Sequence, residues 1–168
     1  MTDSPYKDYY DFAMGNLKAE LKQNKPFETL EDEVFVNIIR TAEFLTRKEA
    51  EFFKRYELTP SQFNVLRILR GAEPDGLICR EISERMIAFD PDMTKLLDRL
   101  EARNFVTRDR QQKDRRVITV RITEEGLALL KTIDQPILDM VGKALGHLSE
   151  KKLRTLNELI EEARKCAE

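Results

Sequence analysis

The chain has 168 residues, 36% charged and 41% apolar, with 6 Gly and 6 Pro: one helix-rich globular domain's worth, which excludes disordered, collagen-like and disulfide-framework classes. No charge-free stretch approaches a bilayer span, the N-terminal MTDSPYKDYYDFAMG lacks the basic start and apolar run of a secretory signal, and Cys79 and Cys166 form no metal-type spacing. A reduced, cytoplasmic protein without metal or cofactor is the expectation, and a net charge of −2 taken alone speaks against nucleic acid.

Residues 1–29 are polar and irregular, with a short helix read over Tyr9–Gln23 and broken at Lys25-Pro26. A long helix follows from about Leu30 to Tyr56, because Val34, Phe35, Ile38, Ala42, Leu45, Phe52 and Phe53 recur at three-and-four spacing between charges. Thr59-Pro60-Ser61-Gln62 opens the next helix, with Thr59 as N-cap, Pro60 at the first helical position and Gln62 completing a capping box. That helix runs to about Arg70, and its apolar surface (Phe63, Val65, Leu66, Ile68, Leu69) is wide enough to be buried on two sides.

The cluster GAEPDG at 71–76 reads as a turn, and a short helix over Cys79–Ile87 carries Ile82 and Met86 inward. Asp90-Pro91-Asp92 supplies a cap, a first-turn Pro and an early acid for a helix from Pro91 to Arg103 that buries Met93, Leu96, Leu97 and Leu100. Asn104 stands at the left-handed position that ends it. Two short helices joined by a tight turn make a helix-turn-helix candidate. Phe105–Arg108 and Val117–Ile122 then read as strands, the second alternating Ile118, Val120 and Ile122 with Val117, Thr119 and Arg121, around a charged tip from Asp109 to Arg116. This hairpin is a wing. Thr123 caps a helix bearing Leu127, Leu130, Ile133, Ile137, Leu138, Val141 and Leu145, which Pro136 must kink or restart. Ser149 caps a last helix with Leu153, Leu156, Ile160 and Ala163 on one stripe. The fold class is therefore mainly α with a small β-hairpin: a winged helix-turn-helix plus a helical region.

Charge concentrates where that architecture would need it. Between Lys95 and Arg121 stand nine basic residues against four acidic ones, leaving the rest of the chain acidic. The exposed side of the second helix of the pair would present Asp92, Thr94, Lys95, Arg99 and Arg103 to a major groove. Lys95 and Arg99 repel at i,i+4, and phosphates or guanine edges would relieve that repulsion. One such pair alone reads as a solvated face; the adjoining basic hairpin turns the balance toward DNA. At the tip, Asp114 and Arg116 project to one side of a strand, where the carboxylate could orient the guanidinium for a minor groove or form only a surface ion pair.

The residues that follow this order resemble the MarR-type transcriptional regulators. They are Leu58-Thr59-Pro60-Ser61-Gln62-Phe63-Asn64-Val65-Leu66, Met93-Thr94-Lys95-Leu96-Leu97-Asp98-Arg99-Leu100-Glu101, Asn104-Phe105-Val106-Thr107-Arg108, Asp114-Arg115-Arg116 and Val120-Arg121-Ile122-Thr123-Glu124-Glu125-Gly126. The resemblance spans about 30–165 co-linearly, with Asn104 where the family usually has Gly, and leaves 1–29 as an extension. It implies a homodimer whose first and last two helices interlock, through residues 30–56 and 124–168, with 57–123 as the DNA-binding domain. Val34, Phe35, Ile38, Leu145, Leu153, Leu156 and Ile160 would then lie in the dimer interface. Thr94, Lys95 and Arg99 would read the major groove, with Asp92 beside them. Arg110, Arg115 and Arg116, with Asp114 orienting Arg116, would serve the wing. It further implies a pseudo-palindromic operator and a repressor relieved by a small phenolic or other aromatic anion, for which Phe44, Phe63 and Met86 are candidate lining.

Three other readings stand beside it. An enzyme is disfavoured, because the single histidine, His147, has no recognisable partner and no phosphate loop or nucleophile elbow is present. A redox switch would use Cys79 at a helix start beside Arg80, although Cys is commonly a small buried hydrophobe and Cys166 looks incidental. A winged helix used only for protein contacts would suit the modest net charge but leaves the basic helix and wing without purpose.

Overall fold

A computed structural model of the protein describes residues 17–110 and 118–165. The chain divides into two units, with the break between Arg47 and Lys48. The first contains a short helix α1 (Leu17–Glu20) and most of a long helix α2 (Leu30–Phe53). Of the helix read over Tyr9–Gln23, only 17–20 is helical among the described residues. Leu17 is buried, whereas Val34, Phe35, Ile38 and Ile39 on α2 are exposed.

The second unit is built on α3 (Pro60–Arg70), and local sequence dictates where that helix starts. The Thr59 hydroxyl accepts from the Gln62 N–H at 3.2 Å, and the Gln62 side chain accepts from the Thr59 N–H at 2.9 Å, with Pro60 at the first position. The chain reaches this cap from α2 through a 3-10 turn (Lys54–Tyr56) that closes on Glu57 in the left-handed region. Phe53 is fully buried and packs its ring 4.5 Å from that of Phe63, which joins the end of α2 to α3. α3 is buried on two sides, as its apolar width requires, through Phe63, Val65, Leu66 and Leu69.

After the 71–76 turn comes a strand that local pattern does not reveal: β1 (Leu77–Ile78), two residues pairing antiparallel with Val120 and Thr119. Two residues are too few for a period of two to be visible. Gly76 leads into it at φ 72, and a Cβ there would collide with the Val120 carbonyl oxygen, so both backbone angle and space require glycine. α4 (Cys79–Arg85) and α5 (Met93–Ala102) form the helix pair. α5 does not begin at Pro91 as expected. The Asp90 carboxylate accepts from the Asp92 N–H at 2.9 Å, a local turn that holds Pro91 and Asp92 outside the helix. α5 buries Met93, Leu96, Leu97 and Leu100, and Asn104 ends it at φ 58 as read.

β2 (Val106–Arg110) and β3 (Ile118–Ile122) pair antiparallel, in sheet order β1-β3-β2. Asp109 and Arg110, read as tip, are paired strand residues opposite Thr119 and Ile118. The alternation in β3 is also less regular than expected, because Ile118 is exposed while Thr119 and Val120 are both buried. Helix α6 (Glu124–Leu145) starts with the Thr123 hydroxyl accepting from the Gly126 N–H at 3.0 Å. It continues through Pro136 without restarting. Leu130 and Ile133 enter the core, and Asp134 takes two hydrogen bonds from Arg70 at 3.0 and 2.8 Å, fastening α6 to α3. α7 (Glu150–Ala163), capped by Ser149, has no buried residue.

Candidate nucleic-acid interface

α5 is held by its apolar side, which leaves its other side to carry chemistry. Met93, Leu96, Leu97 and Leu100 anchor it in the same core as Phe63, Leu66, Val106 and Val120. Thr94, Lys95, Asp98 and Arg99 consequently face outward. Rigid placement of a few polar side chains on a helix is the geometry that groove reading requires.

The electrostatics of this face are organised. The Lys95 ammonium lies 3.0 Å from the Asp92 carboxylate. Arg99 makes no ion pair among the described residues, and its side chain is exposed. A cleft of about 230 Å³ runs beside these groups, between the start of α3 (Thr59, Ser61) and Asp90, Asp92, Lys95 and Arg99 on and before α5. Glu49, late in α2, is half-buried, and burial pushes its carboxyl above the ordinary 4.5; it takes no part in this face.

Of the eight residues singled out for DNA, Asp92, Thr94, Lys95 and Arg99 come together on this one surface. Arg110 ends β2. Asp114, Arg115 and Arg116 lie outside the described residues. Arg103 is not on the face with them. Its guanidinium bonds the Glu57 and Tyr56 carbonyl oxygens and stacks 4.7 Å over the Phe105 ring, tying the end of α5 to the chain before α3. Two wing cations the sequence could not sort have partners already: Arg121 pairs with Asp109 and donates to the Pro74 carbonyl at 3.2 Å, and Arg108 turns back onto α5. Their partners are 7 to 47 residues away, beyond the reach of local pattern.

Elsewhere the named residues fall as follows. Phe63 is 3% exposed and is core; Met86 is half-buried against that core; Phe44 is exposed on α2 in the other unit. Val34, Phe35 and Ile38 form an exposed apolar stripe on α2. On the second unit Leu138, Val141, Leu156, Leu159 and Ile160 are exposed, with Leu145 and Leu153 half-buried. Cys79 is half-buried and packs against the core, and His147 is exposed in the turn before α7.

The model of the family described as transcriptional regulator SarA/Rot matches residues 49–133, from the end of α2 into α6. The HTH-type transcriptional regulator SarZ of Staphylococcus aureus is 28% identical over 105 residues, 62% of this chain and 67% of its own. Among solved structures, a MarR transcription factor from Planctomyces limnophilus is 37% identical with a TM-score of 0.65, over 81% of this chain and 98% of that one. The PcaV transcriptional regulator from Streptomyces coelicolor, solved in complex with its natural ligand, is 27% identical with a TM-score of 0.64, over 76% and 92%.

Proposed function

This chain belongs to the MarR/SarA type of winged-helix transcriptional regulators, and from that premise we propose that it binds a pseudo-palindromic operator as a homodimer and acts as a repressor relieved by a small ligand. One observation carries the reading: α5, fixed in the core by four apolar residues, presents Thr94, Lys95 and Arg99 outward beside the base of a hairpin. Thr94, Lys95 and Arg99 contact base edges and phosphates of the major groove, and Asp92 holds Lys95 until DNA competes for it. Arg110, Arg115 and Arg116 engage the minor groove or backbone from the wing, with Asp114 steering Arg116.

The dimer is supported by the apolar residues left exposed on α2, on the last half of α6 and on α7, since a monomer gains nothing by presenting them to water. In this reading 30–56 and 124–168 form the dimerisation region and 57–123 the DNA-binding domain. A small aromatic or phenolic anion is the proposed effector; that the PcaV regulator was solved with its natural ligand supports a ligand-binding regulator, not the chemistry of the ligand. Of the candidate lining in the second unit, Met86 is half-buried and accessible, whereas Phe63 is core.

The test is a titration of the full chain onto duplex DNA at several salt concentrations, with its mass in solution measured alongside. The expected result is a dimer whose log K falls with log salt at a slope of about −0.9 per phosphate neutralised, several in all. A folded protein with a flat salt response would contradict DNA binding. A monomer that binds with the same slope would contradict the dimer alone.

A further inference from the structure

The charges of α5 do not by themselves favour DNA. Lys95 and Arg99 are matched by Asp98 and Glu101, and Asp92 at the cap adds a third acid. A helix so balanced gains no net attraction from phosphates, and its carboxylates would be brought toward them. The missing cation comes from the wing. Arg108, in β2, reaches across to α5. Its Nη1 lies 2.7 Å from Asp98 Oδ1, its Nε 3.6 Å from Glu101 Oε2, and its Nη2 donates to the Thr94 carbonyl oxygen at 3.3 Å. The side chain is 20% exposed, so these charges are screened less than those of an open surface pair.

We propose that Arg108 masks the Asp98 and Glu101 carboxylates and thereby gives the recognition helix its cationic face, without itself touching DNA. It is a positioning residue. The bond to the Thr94 carbonyl fixes the guanidinium along the wing flank of α5, so Lys95 and Arg99 are the cations left to face the groove. The inference rests on the DNA reading above and adds to it a residue that makes the helix competent from behind. It also gives the wing a second task, since the strand that leads to its tip supplies the cation.

The test uses the full chain and a 30-base-pair duplex of mixed sequence, with binding read by fluorescence anisotropy at low and moderate salt. The variants are Arg108→Gln, Arg108→Lys, and the triple Arg108→Gln, Asp98→Asn, Glu101→Gln, each checked by circular dichroism. Arg108→Gln is expected to weaken binding about tenfold at low salt, as unmasked carboxylates meet phosphates. Arg108→Lys, which keeps the charge, and the triple variant, which removes what needs masking, are both expected to stay within about threefold of the native chain. If Arg108→Gln does not fold, the lysine and triple variants carry the test against the native protein. Unchanged binding by Arg108→Gln overturns the proposal. So does a folded triple variant that stays weak, or one whose salt slope drops by about 0.9, the signature of one fewer neutralised phosphate. Failure of the native chain to bind the duplex at all would instead overturn the DNA reading, and this inference with it.

Discussion

Alanine at Arg99 or at Lys95 is expected to cost about 1–3 kcal/mol of operator binding, roughly tenfold to a hundredfold, and to change which bases are preferred. The two changes should differ in kind. Arg99 makes no ion pair among the described residues, so its loss is expected to remove the proposed interaction with DNA and little else. Lys95 sits 3.0 Å from Asp92, and its removal leaves that carboxylate uncompensated on the face proposed to meet DNA. Lys95→Ala should therefore weaken binding on every sequence as well as on the operator, and adding Asp92→Asn should recover part of the loss. Affinities for operator and scrambled duplexes at one salt concentration decide it. Equal losses on both duplexes for Arg99→Ala would mean that Arg99 touches only phosphate.

The second large effect lies under the same helix. Leu100 is fully buried, and Leu100→Ala is expected to lower stability by about 2–5 kcal/mol through lost transfer energy and the cavity left behind. That is a large share of the roughly 5–15 kcal/mol that holds a domain folded. Leu100 ties α5 to the core that also holds Val106 and Val120, so its loss should loosen α5 before the rest of the molecule. Urea unfolding at fixed protein concentration measures the cost, because the stability of the proposed dimer would depend on concentration. A loss under about 1 kcal/mol would mean that α5 is not packed as described.

What the sequence made legible was local. The Thr59, Pro60, Gln62 start of α3 and the left-handed Asn104 can be read because each depends on neighbours within three or four residues. The anchor of α5 was legible for the same reason, since Met93, Leu96, Leu97 and Leu100 fall at helical spacing. Its starting residue was not, because Asp90 had two local uses, cap or turn, and the turn prevails. Strand ends were misplaced where only pairing decides them: Asp109 and Arg110 carry no strand signal but sit opposite Thr119 and Ile118.

Among the cations the limit is sharper. Arg99, Arg103 and Arg108 look alike in the sequence, yet one faces solvent, one clamps the Tyr56 and Glu57 carbonyls, and one neutralises Asp98. A count of basic residues finds the region proposed to bind DNA. It does not find which of them are free to do so, because their partners come from tertiary packing. Effector lining is less legible still, since an aromatic at helical spacing serves a core and a pocket equally, and Phe63 proves to be core.

The most direct measurement is selection of bound duplexes from a random-sequence pool by the full chain, followed by sequencing. The expected result is enrichment of an inverted repeat whose half-sites are separated by about one helical turn, 10–10.5 base pairs, or a multiple of it, as two symmetry-related recognition helices require. Recovery of a pool as random as the one supplied would contradict operator recognition by this chain.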